Sequence, residues 1–225
     1  MRQDLATLIA IAALLPTPAA ANGAAQVRNK DADAARLTMR DFADCVIKND
    51  DGRHARNVSE FLAMSPVAFA VDKVGAKLAD SDCLKSRNPW TYVAELKMRP
   101  QLLRGALFRS RFEKAFKGKP LPAFAAFDAK ESWHLPSDDP FAFLQSIGEC
   151  VVRADPVDTR AALEAPVASP AEDAAYRAII PNLKPCIPAN VTYRFSRTVL
   201  EGLFAEALYN LSMGAVAPSA ATSGG

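Results

Sequence analysis

FADCVIKND at residues 42–50 and IGECVVRAD at residues 147–155 are one pattern written twice. Cys45 falls on Cys150, Asp44 on Glu149, Val46 on Val151, Lys48 on Arg153 and Asp50 on Asp155. Working outward, with one residue inserted in the first copy, Arg56 meets Arg160, Glu60 meets Glu164, and Ser65-Pro66 meets Ser169-Pro170. A second cysteine follows in each copy, Cys83 in one and Cys186 in the other. Leu103-Arg104-Gly105 then meets Leu200-Glu201-Gly202, and each runs on into an apolar stretch, LLRGALFRSRFEKAF or VLEGLFAEALYNL. Separated blocks that agree in one order identify an internal duplication.

Each copy reads as helix. Leu37, Met39, Phe42, Cys45 and Val46 populate one broad stripe with charges between them. Asp50-Asp51-Gly52 and Asp155-Pro156 end the first helix of each copy. A short second helix carries Val58, Phe61 and Leu62 in one copy and Leu163 in the other. The shared Ser-Pro starts a third, with serine as N-cap and proline at the first helical position. Past the second cysteine, AELKM (94–98) and VTYRF (191–195) alternate briefly and admit two short strands. A fourth helix carries Gly105 or Gly202 in its interior, where glycine costs about 1 kcal/mol relative to alanine and signals close helix packing. The fold class expected is therefore mainly α, a duplicated four-helix unit.

The N-terminus sets the compartment. LATLIAIAALL at residues 5–15, the break at Pro16-Thr17-Pro18 and the small residues Ala19-Ala20-Ala21 have the grammar of a secretory signal peptide. The run is too short to span a bilayer, which needs about 20 apolar residues. The expected division is a signal peptide at 1–21, a flexible segment at 22–33 and repeat 1 at 34–117. A Pro/aromatic connector at 118–140, repeat 2 at 141–212 and a disordered tail at 213–225 complete it. Export implies a periplasmic or secreted protein, with no transmembrane helix in the mature chain. In an oxidising compartment four cysteines suggest two bridges, and four cysteines allow three connectivities. The duplication selects bridges within each copy, Cys45–Cys83 and Cys150–Cys186. Were the leader spurious, four buried thiols would be the better reading.

The block ECVVRADP…TRA (149–161), the cysteine before a proline at 186–188 and L-x-G-x-x-AEALY at 200–209 resemble a group of uncharacterised exported proteins of sphingomonad-type alphaproteobacteria. The resemblance is fuller in the second copy than in the first. It implies a periplasmic location and an all-α, disulfide-linked repeat, and it brings no activity and no site residues.

Composition excludes wholesale disorder and a disulfide-dense miniprotein, since half of the 225 residues are apolar, the net charge is +2 and only four are cysteine. The small net charge hides an asymmetry. Residues 22–119 carry 19 basic and 12 acidic side chains, residues 120–225 carry 7 and 12. Lys97, Arg99, Arg104, Arg109, Arg111, Lys114, Lys117 and Lys119 oppose Glu113 alone on the fourth helix of repeat 1 and its flanks. That helix reads either as a basic amphipathic surface, with Arg104, Arg109, Arg111 and Lys114 as candidate contacts for an acidic protein, anionic lipid or cell-wall polymer, or as a face that meets the acidic half of the same chain. Nucleic acid is not expected for an exported chain. His54 and His134 have no partners at metal-ligand spacing, and no nucleophile elbow, H-E-x-x-H helix, P-loop or dinucleotide motif is present, so no metal or cofactor is expected. The polar positions common to both copies read as ion pairs and helix caps. These readings favour a binding or scaffold module of the cell envelope. A carrier of a small apolar ligand is the alternative, and carboxylate chemistry without a motif leaves enzyme activity open.

Overall fold

A computed structural model describes residues 30–49, 52–65, 75–78, 83, 99–128, 139–189 and 193–216. Three consecutive helices of repeat 2 begin by the same device, a short polar side chain followed by proline at the first helical position, where the missing N–H costs nothing. Asp139 accepts from the Phe141 and Ala142 N–H groups at the head of one helix, Pro140–Ala154. Asp155 closes that helix and caps the next, Pro156–Glu164, by accepting from Asp158 N–H. Ser169 accepts from Glu172 N–H at the head of Pro170–Leu183, which passes into a 3-10 turn at Lys184–Cys186.

In chain order we label the α-helices α1 (Lys30–Lys48), α2 (Gly52–Ala63), α3 (Pro100–Phe116), α4 (Pro140–Ala154), α5 (Pro156–Glu164), α6 (Pro170–Leu183) and α7 (Arg197–Val216). A helical turn at residues 75–78 lies between α2 and α3. The third helix expected from Ser65-Pro66 otherwise lies outside the described residues, as do the proposed signal peptide and Trp133 of the connector. α1 starts inside the segment expected to be flexible, with Asp33 in its first turn, where the helix dipole favours acids. α7 continues past the expected limit at 212 to Val216, two residues short of Pro218, because nothing before that proline breaks it.

No strand occurs among the described residues. Residues 94–98 lie outside them, and residues 193–195 belong to no ladder. The alternation at Tyr193 and Phe195 serves ring packing instead: the two rings stack at 5.7 Å, and Tyr193 meets Phe143 of α4 at 5.4 Å.

Both bridges form within the copies, Cys45–Cys83 with Cα atoms 5.5 Å apart and Cys150–Cys186 with 5.7 Å. In repeat 2 the bridge ties the end of the third helix to the first. α3 and α7 lie back to back at the centre, α1 packs on α3, and α4 packs on α7. One continuous apolar cluster joins Val46, Ile47, Leu107 and Phe112 of the first copy to Val151, Leu163, Ile179 and Phe204 of the second. The two halves of the chain therefore share a single core. Leu121 and Phe124 of the connector pack against it.

Candidate functional site

α3 and α7 cross at their glycines. A Cβ built on Gly105 would lie inside 3.0 Å of the Gly202 Cα, and one on Gly202 would lie 3.1 Å from the Gly105 Cα. Contacts across this point are reciprocal, as in an isologous pairing where position i meets j and j meets i. The alignment makes 104 the counterpart of 201, and 109 the counterpart of 206. The first copy has arginine at both positions and the second has glutamate at both. Arg104 grips Glu206 with Nη2 at 2.6 Å and Nε at 3.0 Å, and Arg109 Nε lies 3.9 Å from Glu201 Oε1. Two identical copies would bring like charges together here; the reversal of sign turns repulsion into attraction.

Around each of these ion pairs lies a chamber, and the two chambers are filled differently. In the first, α1 projects Arg36 and Arg40 onto Glu201, at 3.0 and 2.6 Å. Arg36 also binds Glu172 of α6, and Arg40 Nη1 donates to Ala165 O at 2.8 Å. Glu172 takes a further bond from Ala168 N–H at 2.9 Å and an ion pair with Arg197 at 3.3 Å. Burial pushes the Glu172 carboxyl up, but the hydrogen bond and charge of Arg36, with Ala168 N–H and Arg40, outweigh it and hold the group below the usual carboxylate range. Asp44 accepts from Ser110 and Arg109, which also reaches Glu113 at 2.6 Å. Guanidinium groups fill this chamber.

In the second chamber the counterparts of Arg36 and Arg40 are Phe141 and Gln145. The Phe141 ring lies 5.8 Å from the Arg104 guanidinium, and Gln145 Nε2 donates to Glu206 Oε1 at 2.6 Å. Arg104 Nη1 donates to Leu62 O and Met64 O at the end of α2, as Arg40 and Arg109 do to Ala165 O and Leu163 O near the end of α5. Phenyl and amide replace two long cations, and a groove stays open. Gln145, Ser146 and Glu149 of α4 face Glu206, Ala207 and Asn210 of α7 across a space of about 470 Å³. A second, more apolar space of about 230 Å³ has Leu102, Phe141, Leu144 and Val199 in its wall. Leu203 and Glu206 line both. Volumes of this order are what small-molecule sites offer.

Of the cations expected on an accessible basic face, Arg104 and Arg109 are 8% and 7% exposed and turned to the second repeat. Eight consecutive residues of α3, Leu103 to Ser110, are buried, so the helix is central rather than a surface amphipath. Arg111 donates to Ser59 Oγ at 3.0 Å and Lys114 to Ile47 O at 2.7 Å, both nearer the surface. The polar set common to the copies serves pairing and capping: Glu149 with Arg153 at 2.8 Å, Arg160 with Glu164 at 2.7 Å, and Asp155 as a cap. Asp50 and His134 lie outside the described residues, and His54 is partly buried on α2. Among the described residues no group of His, Cys, Asp and Glu is placed to hold a metal ion.

Reading the sequence did not single out Arg36, Arg40, Glu172 or Glu201. A signal was present: Arg36 and Arg40, one helical turn apart, share the face of Met39, Ala43 and Ile47, where a solvated arginine has no place. The mismatch of Arg104 with Glu201 inside an otherwise matching block was a second. Comparison of the chain with protein-family models, curated proteins and solved structures finds no match.

Proposed function

We propose that this chain is an exported binding protein of the cell envelope, in which the groove between α4 and α7 receives a small ligand. One observation carries the reading. At equivalent places around the α3–α7 crossing, one chamber is packed with side chains of the chain itself and the other is left open, with a polar and an apolar compartment meeting at Glu206. Interiors close-pack wherever they can. A volume of this size, beside a counterpart that the arginines of α1 occupy, is a feature to be filled from outside. The two disulfides and the leader-like N-terminus support an oxidising compartment outside the cytoplasm, and no described helix is long and apolar enough to cross a membrane. A scaffold acting through the basic helix has less support, since its two central arginines are already engaged by repeat 2.

Native mass spectrometry of protein purified without denaturation from the envelope fraction tests this. Expected is an adduct of a few hundred daltons on the wild type that is lost in Ala142→Trp, where the indole would occupy the groove. A wild type that carries no adduct and shows no thermal shift with any member of a metabolite library would remove the reading.

A further inference from the structure

We propose that the ligand is a small amphiphilic cation, an ammonium or guanidinium group on an apolar tail. Its head would sit between Glu149, Glu206 and Asn210, and its tail between Leu102, Phe141, Leu144 and Val199. The inference rests on the groove being a ligand site.

The first argument is the balance of donors and acceptors. An ionised carboxylate offers about four lone-pair positions. Glu206 uses three, two for Arg104 and one for Gln145. Among the described residues both bonds to Glu149 come from Arg153 and fall on one oxygen, Oε1. In the polar compartment Gln145 Nε2 is committed to Glu206 and Ser146 Oγ to Ala142 O, which leaves the Asn210 amide as the further donor there, while Arg99 lines the apolar compartment. The wall thus presents an excess of acceptors with negative charge, which a ligand carrying several N–H donors and a positive charge satisfies and an anion does not.

The second argument is the chain's own precedent. In the equivalent chamber Asp44 faces the guanidinium of Arg109, and Glu201 carries those of Arg36 and Arg40. Gln145 stands where Arg40 would, and Glu149 where Asp44 does, itself bound to Arg109. The counterparts of Asp44 and Arg109 are Glu149 and Glu206, so the open chamber sets a second carboxylate where the first has a guanidinium; Arg104, the counterpart of Glu201, supplies its buried cation, and the two long cations of α1 are missing. The third is the continuity of the space: Leu203 and Glu206 belong to both compartments, so a head at Glu206 places its tail directly against the apolar wall.

The test is calorimetric titration of the full-length exported protein with n-hexylamine, n-hexanol and n-hexanoate at neutral pH. We expect hexylamine to bind most tightly, hexanol more weakly and hexanoate not at all. Glu149→Gln removes a half-buried i, i+4 ion pair with Arg153, and should weaken hexylamine about tenfold while leaving hexanol unchanged. Asn210→Asp, on the exposed rim, should strengthen hexylamine by a similar factor. If hexanol binds as tightly as hexylamine, and neither variant discriminates between them, the groove survives as a site and the cationic head falls. If none of the three probes binds, the groove reading falls with it.

Discussion

Gly105 is the residue on which the two copies meet, and its cost and its use are both calculable. A methyl group there would meet backbone of α7, which cannot step aside as a flexible side chain can. Gly105→Ala should therefore destabilise by about 2–3 kcal/mol despite alanine's better helix propensity, as overpacking does. Gly202→Ala, with its Cβ at 3.1 Å, should cost less. Urea unfolding of the two variants would show the order, and equal costs would mean that the crossing relaxes symmetrically. Glu172 supports a second prediction. Its folded carboxyl lies below the ordinary value of 4.5, so its contribution is complete above that pH and is lost as pH falls through the lower folded value. The groups facing it are Arg36 and Arg40 from α1 and Arg197 from α7. Burial holds Glu113 above its usual range, so it acts in the opposite sense. Melting temperature should fall on acidification below about pH 4.5 in the wild type, and more shallowly in Glu172→Gln. Parallel curves would show that Glu172 does not drive acid sensitivity. The sequence announced Gly105 and Gly202 because a glycine costs stability wherever a helix runs through it, but it did not announce Glu172, whose ion-pair partners Arg36 and Arg197 lie on other helices, Arg36 136 residues away.

Among elements, the α3–α7 pairing carries the strongest expectation. Arg104→Met would strand Glu206 in a buried site and leave the last carbonyls of α2 without their donor. Breaking one side of a buried pair costs about 3–5 kcal/mol. The exchanged pair Arg104→Glu with Glu206→Arg should recover part of this, since the ion pair reforms and the α2 carbonyl bonds do not. Complete recovery in denaturant titrations would show that the α2 contacts contribute little. At the helix ends, Ser169→Ala should lower stability by about 1 kcal/mol through loss of the Glu172 N–H bond, measurable in the same way. Caps, prolines and the apolar stripe of α1 were legible because they act within one or two turns. The placement of α3 was not. Its arginines suit a solvated basic face equally well, and only the acidic residues of α7 opposite them make burial favourable.

For the whole molecule, the question is whether two copies make one folding unit or two. The shared core predicts a single cooperative unfolding transition by far- and near-ultraviolet circular dichroism alike. Two resolved transitions would mean separate units. Each disulfide closes a loop of nearly forty residues, 38 in one copy and 36 in the other, worth roughly 3–4 kcal/mol through the unfolded chain. Replacing either cysteine pair by alanine should lower the midpoint of that one transition rather than split it.

The sequence by itself determined the helical class, the bridges Cys45–Cys83 and Cys150–Cys186, and the caps. These depend on periodicity, on spacing, or on interactions a few residues long. Only the tertiary structure decided that the basic helix is interior, that Arg36, Arg40 and Arg109 form a buried cluster with Glu172 and Glu201, and that one of two equivalent chambers stays open. Those outcomes depend on which charges face each other across the α3–α7 crossing. Charge sign can be read from a sequence, but the partner of a charge is set by packing between segments a hundred residues apart.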